Sequence, residues 1–167
     1  MTRWACLFLG LMFVIMPVTL GERGAALPAK EPSPPDPLWS KPGFLFLELF
    51  TPHASDYIRF LQTVAGFRLV REETGFAELR SEMGEVMVNS GKALPAGHPF
   101  YGKILGHDQG VGVEIGIVVA DLTVARRAAL QFKGWSVTDI HRQRWGQSDF
   151  RVVTGDGYYF RFTEPAR

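Results

Sequence analysis

The chain has 167 residues, 46% hydrophobic and 21% charged, with a formal net charge of +1. That balance describes one globular domain with tails, and so small a net charge argues against nucleic acid or an anionic membrane surface as a partner. The one cysteine, Cys6, excludes both a disulfide framework and a thiolate zinc site.

After Met1–Arg3 the chain runs from Trp4 to Leu20 without a charge, with Pro17 near the end and small residues at Gly21 and Gly24–Ala26. A positive start, an apolar stretch and small-residue cleavage positions are the plan of a secretory signal, so residues 1–21 predict export to the periplasm or the medium. The stretch of 17 residues also reaches the lower limit of a spanning helix. An uncleaved anchor over residues 4–20 is therefore the alternative, and the only route by which this chain would meet a membrane. Residues 22–42 hold six of the eleven prolines and little apolar content, which predicts an extended tether. The folded domain is assigned to residues 43–167.

"GFLFLELF" (residues 43–50) puts Leu45, Leu47 and Leu49 on one face and Phe46, Glu48 and Phe50 on the other, the alternation of a strand. In "DYIRFLQTVAG", Tyr57, Phe60, Leu61 and Val64 fall at helical spacing, with Ser55 as the expected cap and Gly66 as the stop. "FRLVREE", "GFAELRSE" and "GEVMVNS" read as three short strands between turn residues. The order β-α-β-β-β then restarts with a strand at residues 113–120, a helix from Asp121 and a stop at Gly134, followed by the strands "SDFRVVTG" and "GYYFRFTE". A shift of 68 lays Gly134 on Gly66 and Trp135 on Phe67; laying Gly157 on Gly84 needs 73, and the surplus is assigned to "QRWGQ". Such a repeat implies two duplicated units that bury their faces together.

Tandem βαβββ units of this size resemble the vicinal oxygen chelate (VOC) superfamily, the glyoxalase/bleomycin-resistance fold. The resemblance covers Phe44 to Pro165. It is carried by "ELFTPHASDYIRFLQTVAGFRLV", by "GVEIGIVVADLTVARRAALQFKGW" with Asp121 where members commonly place an aspartate, and by "RWGQSDFRVVTGDGYYFRFTEP". In the last, "TGDG" stands where members usually carry a D-P-x-G turn. The resemblance implies an α+β fold in which tandem βαβββ modules form a curved mixed sheet with a concave cleft. It leaves function open, since the superfamily holds isomerases, dioxygenases, thiol transferases and non-catalytic drug-binding proteins.

Metal-using members usually take a histidine from each opening strand and a glutamate from a closing strand. Those positions fall on Phe46, Glu114 and Arg161. Phenylalanine has no donor atom, and a guanidinium is permanently charged and offers no lone pair. The resemblance therefore implies neither the usual metal site nor a cofactor.

Tyr159 and Arg161 share the concave parity of the last strand, while Phe160 and Phe162 face the core. Glu114 lies on the same face of the opening strand of that half, so a Glu114–Arg161 ion pair in place of the metal is expected. Such a pair either fills a vestigial site or presents Arg161 to a carboxylate or phosphate. Glu48 reads as a general base in apolar surroundings or as a hydrogen-bond partner of a neighbouring strand. Met87 adds to the same wall. Trp145, with Gln147 in the inserted segment, is either a lid over an aromatic ligand or a plug at the end of the barrel. In the linker over residues 89–112, which is long enough to be functional or mobile, His98 and His107 read as solvent-exposed; His53 shapes the turn before the helix. No nucleophile elbow, phosphate loop or Cys/His dyad is present.

Two functional readings follow. One is a metal-free binding protein holding a small, partly apolar or anionic molecule in a cleft lined by Phe46, Glu48, Phe50, Met87, Glu114, Trp145, Tyr159 and Arg161, with a homodimer completing the cleft. The other is a metal-dependent lyase, isomerase or dioxygenase with an atypical ligand set from Glu48, Glu114 and a loop histidine, which would have to move Arg161 aside. A weaker third is a tethered interaction module.

Overall fold

A computed structural model describes residues 42–166 apart from 83, 93 and 105. The expected signal segment and nearly all of the tether lie outside the described residues. Strand β1 (Phe46–Phe50) leads into helix α1 (Ala54–Thr63), then β2 (Arg68–Glu73), β3 (Phe76–Arg80) and β4 (Glu85–Asn89). The second half repeats the plan with β5 (Glu114–Val118), α2 (Leu122–Ala129), the two-residue strands β6 (Ser136–Val137) and β7 (His141–Arg142), β8 (Ser148–Val153) and β9 (Tyr159–Thr163). The sheets have matching orders, β1-β4-β3-β2 and β5-β9-β8-β6, with β7 paired to β8. Each opening strand runs parallel to its closing strand, and the remaining pairs are antiparallel. Among the described residues no helix is long and apolar enough to cross a membrane.

Alternation decides which side of each sheet is dry. Leu49, Ala77, Leu79, Val86 and Val88 of the first sheet and Phe150, Val152, Phe160 and Phe162 of the second enter one core together with Tyr57, Phe60 and Leu61 of α1. Phe60 is its centre: its ring meets those of Trp135, Phe160, Phe132 and Phe162 at 4.8, 5.2, 5.4 and 5.7 Å, all close to edge-on. Removing a phenylalanine from the core costs both its transfer energy and the cavity left behind.

The helix starts differ from one another and, in one case, from expectation. Asp121 caps α2, its Oδ1 accepting from the Thr123 and Val124 N–H groups at 2.8 and 3.0 Å. Helix α1 is capped two residues earlier than Ser55 would place it: the N-cap is His53, which offers no side-chain bond, and the Thr51 hydroxyl accepts from the His53 N–H at 3.0 Å. Ser55 lies inside the helix. Gly66 and Gly134 exit the two helices at φ +75° and +80°, a conformation costly for any residue with a Cβ.

The sheet registers correct the alignment of the two halves. Phe46 pairs with Glu85 and Glu114 with Tyr159, so Glu85 corresponds to Tyr159 and Gly84 to Tyr158, not to Gly157. Ser81 N–H bonded to Gly84 C=O, and Thr154 N–H bonded to Tyr158 C=O, both at 2.9 Å, mark the equivalent turns. The "TGDG" turn holds one residue more than its counterpart, which the glycine match concealed. The surplus at "QRWGQ" forms the tip of the β7–β8 hairpin, closed by Gln143 N–H to Gln147 C=O at 2.8 Å.

That longer turn latches the halves together. The buried Asp156 carboxylate accepts from the hydroxyls of Thr51 and Tyr57, and the Tyr57 hydroxyl also bonds the Thr154 hydroxyl. Alongside, the Tyr158 hydroxyl accepts from the Phe50 N–H and donates to the Phe50 C=O, both at 3.0 Å, closing the open edge of β1. Burial, reinforced by the carboxylate bond, raises the Tyr57 phenol far above its ordinary range; burial likewise raises Tyr158.

Candidate functional site

The candidate residues fall into two groups on the outer faces of the sheets. On the second sheet, register sets Glu114 beside Tyr159 and Gly116 beside Arg161. The Arg161 Nε lies 2.9 Å from Glu114 Oε1, with the side chains 33% and 38% exposed. That N–H does not point along the contact, so the pair is held by charge more than by an aligned hydrogen bond. A Cβ at Gly116 would come within 3.8 Å of Arg161 Nη2, so the bare glycine leaves the outer edge of the guanidinium uncovered. Behind it stands a second arginine, Arg151, register partner of Arg161, with Nε 3.9 Å from the buried Asp149 carboxylate. Asp149 is fixed by the Gln143 amide at 2.8 Å.

On the first sheet, Phe46 is 45% exposed, and Glu48 accepts from the Asn89 amide at 3.0 Å, the structural alternative weighed for it. Met87 is half-buried and pairs in register with Glu48 and Glu78. Sequence reasoning missed the charge network beside it. Arg80 donates through Nε and Nη2 to Glu85 Oε2 at 3.0 and 2.8 Å and through Nη2 to Glu78 Oε1 at 2.7 Å. The Glu85 side chain is fully buried, and its second oxygen has no partner. The signal was there: Glu78, Arg80 and Glu85 share the outward parity of β3 and β4, but parity alone does not show that charges cover one another.

Three expectations need correction. Phe50 is no open wall of a cleft: it is 8% exposed because the rings of Phe100 and His98, from the long linker, cover it at 5.0 and 5.6 Å. His98 is consequently packed against that cluster and not free in solvent; the linker has no periodicity from which this could be read. Trp145 neither plugs a barrel nor covers a site within the chain, because at the hairpin tip it is 58% exposed. Gln147 instead bonds the Glu164 C=O at 3.2 Å.

Among the described residues, no hydrogen bond, ion pair or ring contact joins the Phe46–Glu48–Met87 group to the Glu114–Tyr159–Arg161 group. Nor, among the described residues, is any group of three or more histidine, cysteine, aspartate or glutamate side chains placed to hold a metal ion. The metal positions implied by the fold carry Phe46, Glu114 and Arg161, and Glu114 is already occupied by the arginine. This donor set does not fit a divalent cation.

No family model and no curated protein matches the chain. Solved structures do match its fold. TioX from Micromonospora sp. ML1 is similar at 21% identity and a TM-score of 0.52, over 73% of this chain and 98% of that one. A glyoxalase/bleomycin resistance protein from Albidiferax ferrireducens T118 is similar at 13% identity and a TM-score of 0.56, over 74% and 98%. The fosfomycin resistance protein FosX from Mesorhizobium loti is similar at 9% identity and a TM-score of 0.54, over 75% and 94%. The chain has the glyoxalase/bleomycin-resistance fold, the fold of the VOC superfamily, and at these identities the likeness extends to fold alone.

Proposed function

We propose that this chain is an exported, metal-free binding protein that holds a small, partly apolar or anionic molecule on the outer face of its second sheet, with Arg161 as the anion-reading group. The observation that carries the reading is the Arg161–Glu114 contact at the position the fold otherwise gives to a metal. The 2.9 Å contact with Glu114 is made through Nε, and Gly116 puts no side chain over Nη2. A guanidinium presented edge-on in this way suits the two oxygens of a carboxylate or phosphate. Tyr159 lies on the same face and supplies a ring and a hydroxyl.

The groups on the two sheets do not meet within one chain, so a second copy is the natural source of the opposite wall. Strand β1 of the partner would bring Phe46 and Glu48 toward Arg161. The names of the similar structures, resistance to bleomycin and to fosfomycin among them, are compatible with small-molecule binding and are not required for it.

The test is calorimetric titration of the protein with benzoate and phenyl phosphate. The wild type binds one or both saturably, and Arg161→Leu weakens binding roughly tenfold or more, the loss typical of a charge-assisted pair. Equal binding by Arg161→Leu would contradict the assignment.

A further inference from the structure

The two junctions between the halves are built from equivalent positions, and the described residues leave one of them open. A mixed groove of about 1090 Å³ runs where the open edge of β5 faces the β3–β4 turn, lined by Ser81, Gly84, Gly116 and Val118 among others. By register, Val118 corresponds to Phe50 and Gly84 to Tyr158. The latch residues Thr51, Tyr57 and Tyr158 correspond to Val119, Ala125 and Gly84, so the second junction lacks three hydroxyls and two large side chains.

The strand edge there remains unmet. Val119 N–H donates to Thr163 C=O at 2.9 Å, which by strand alternation turns the N–H and C=O of Val118 away from β9 toward the groove. Thr51 N–H, bonded to Asn89 C=O at 2.9 Å, turns those of Phe50 outward in the same way, and there the Tyr158 hydroxyl meets both. No described residue does this for Val118, which is 61% exposed. A side chain added at Gly84 would meet no atom within 4 Å, and its backbone needs no left-handed φ.

We infer that this groove binds a small phenolic molecule, whose hydroxyl takes at Val118 the place that the Tyr158 hydroxyl takes at Phe50. One atom has to accept from an N–H and donate to a C=O. A hydroxyl does both, whereas a carboxylate only accepts and an ammonium only donates. The ring would lie along Phe67 and Ile117, the apolar part of the lining. The groove shares Gly116 with the anion-reading face at Arg161, but the hydroxyl contact at Val118 does not use the guanidinium.

The probe is p-cresol, the side chain of tyrosine as a free molecule, titrated into the ¹⁵N-labelled full chain, with toluene as the hydroxyl-free control. Saturable shifts of the Gly116 and Val118 amides are expected for p-cresol, with toluene weaker by roughly tenfold or more. In Gly84→Tyr and Gly84→Phe, which fill the groove from the turn, those shifts disappear while the Phe50 amide keeps its wild-type position and reports an intact fold. Absence of saturable shifts in the wild type, equal binding of toluene, or binding that survives in either folded variant would overturn the inference. So would Gly116 and Val118 shifts that follow protein concentration alone, since a second copy would then occupy the edge.

Discussion

The two junctions show how a duplicated fold comes to differ at equivalent places. At the first, Asp156, Thr154, Tyr158, Thr51 and Tyr57 seal the β1 edge with hydroxyls and a carboxylate, all of them buried. At the second, Ser81, Gly84, Val119 and Ala125 stand in the matching places and a groove remains. One junction holds the halves together; the other is free to take something up. The outer faces differ in the same spirit, with arginines at the centre of the second sheet and a carboxylate-wrapped Arg80 on the first.

The sharpest way to break this contrast is at the shared centre. Phe60→Ala opens a cavity touching both halves and should cost about 3–5 kcal/mol, read as a large fall in the denaturant midpoint. Next comes the latch. Asp156→Ala removes the carboxylate shared by the buried Thr51 and Tyr57 hydroxyls, leaving Tyr57 only the Thr154 hydroxyl, and should cost about 3 kcal/mol, whereas Ser81→Ala at the open junction should change stability by no more than about 1 kcal/mol. Comparable losses at both positions would erase the distinction.

Smaller effects sharpen it. Tyr158→Phe uncovers the Phe50 N–H and C=O and should cost about 1–2 kcal/mol, with faster hydrogen exchange at Phe50. Alkaline pH probes both tyrosines at once. Their phenols are raised in the fold, so the stability they confer is complete below the ordinary phenol value of about 10 and is lost as pH climbs from there toward the raised values. Denaturant midpoints should therefore fall above about pH 10, less steeply in Tyr158→Phe. The smallest effect is at the functional pair. Glu114→Gln removes a contact that is about a third exposed and screened by water, so stability should move by less than about 1 kcal/mol while anion binding at Arg161 changes.

Much of this was legible in the residues. The alternation in "GFLFLELF" and "GYYFRF" located the strands and their dry faces, and the parity of Glu114 and Arg161 anticipated their contact. What stayed hidden has physical causes. Strands β6 and β7 are two residues long, too short to show a period. Phe50 looked like part of an open wall because nothing local says that Phe100 and His98 return to cover it. Glycine similarity aligned Gly157 with Gly84, and only the hydrogen-bond register reveals that Tyr158 is the residue Gly84 lacks. Nothing in the sequence marks Glu85 as buried, since its cover comes from Arg80 across the β3–β4 turn.

Metal uptake tests the central claim, that an arginine and its glutamate stand where the fold otherwise puts a cation. The full chain is incubated with manganese, iron and zinc in turn, dialysed, and its bound metal measured by elemental analysis, with Arg161→His run beside it. The account predicts no stoichiometric metal in the wild type. One equivalent retained by the wild type and lost on Glu114→Gln would contradict it.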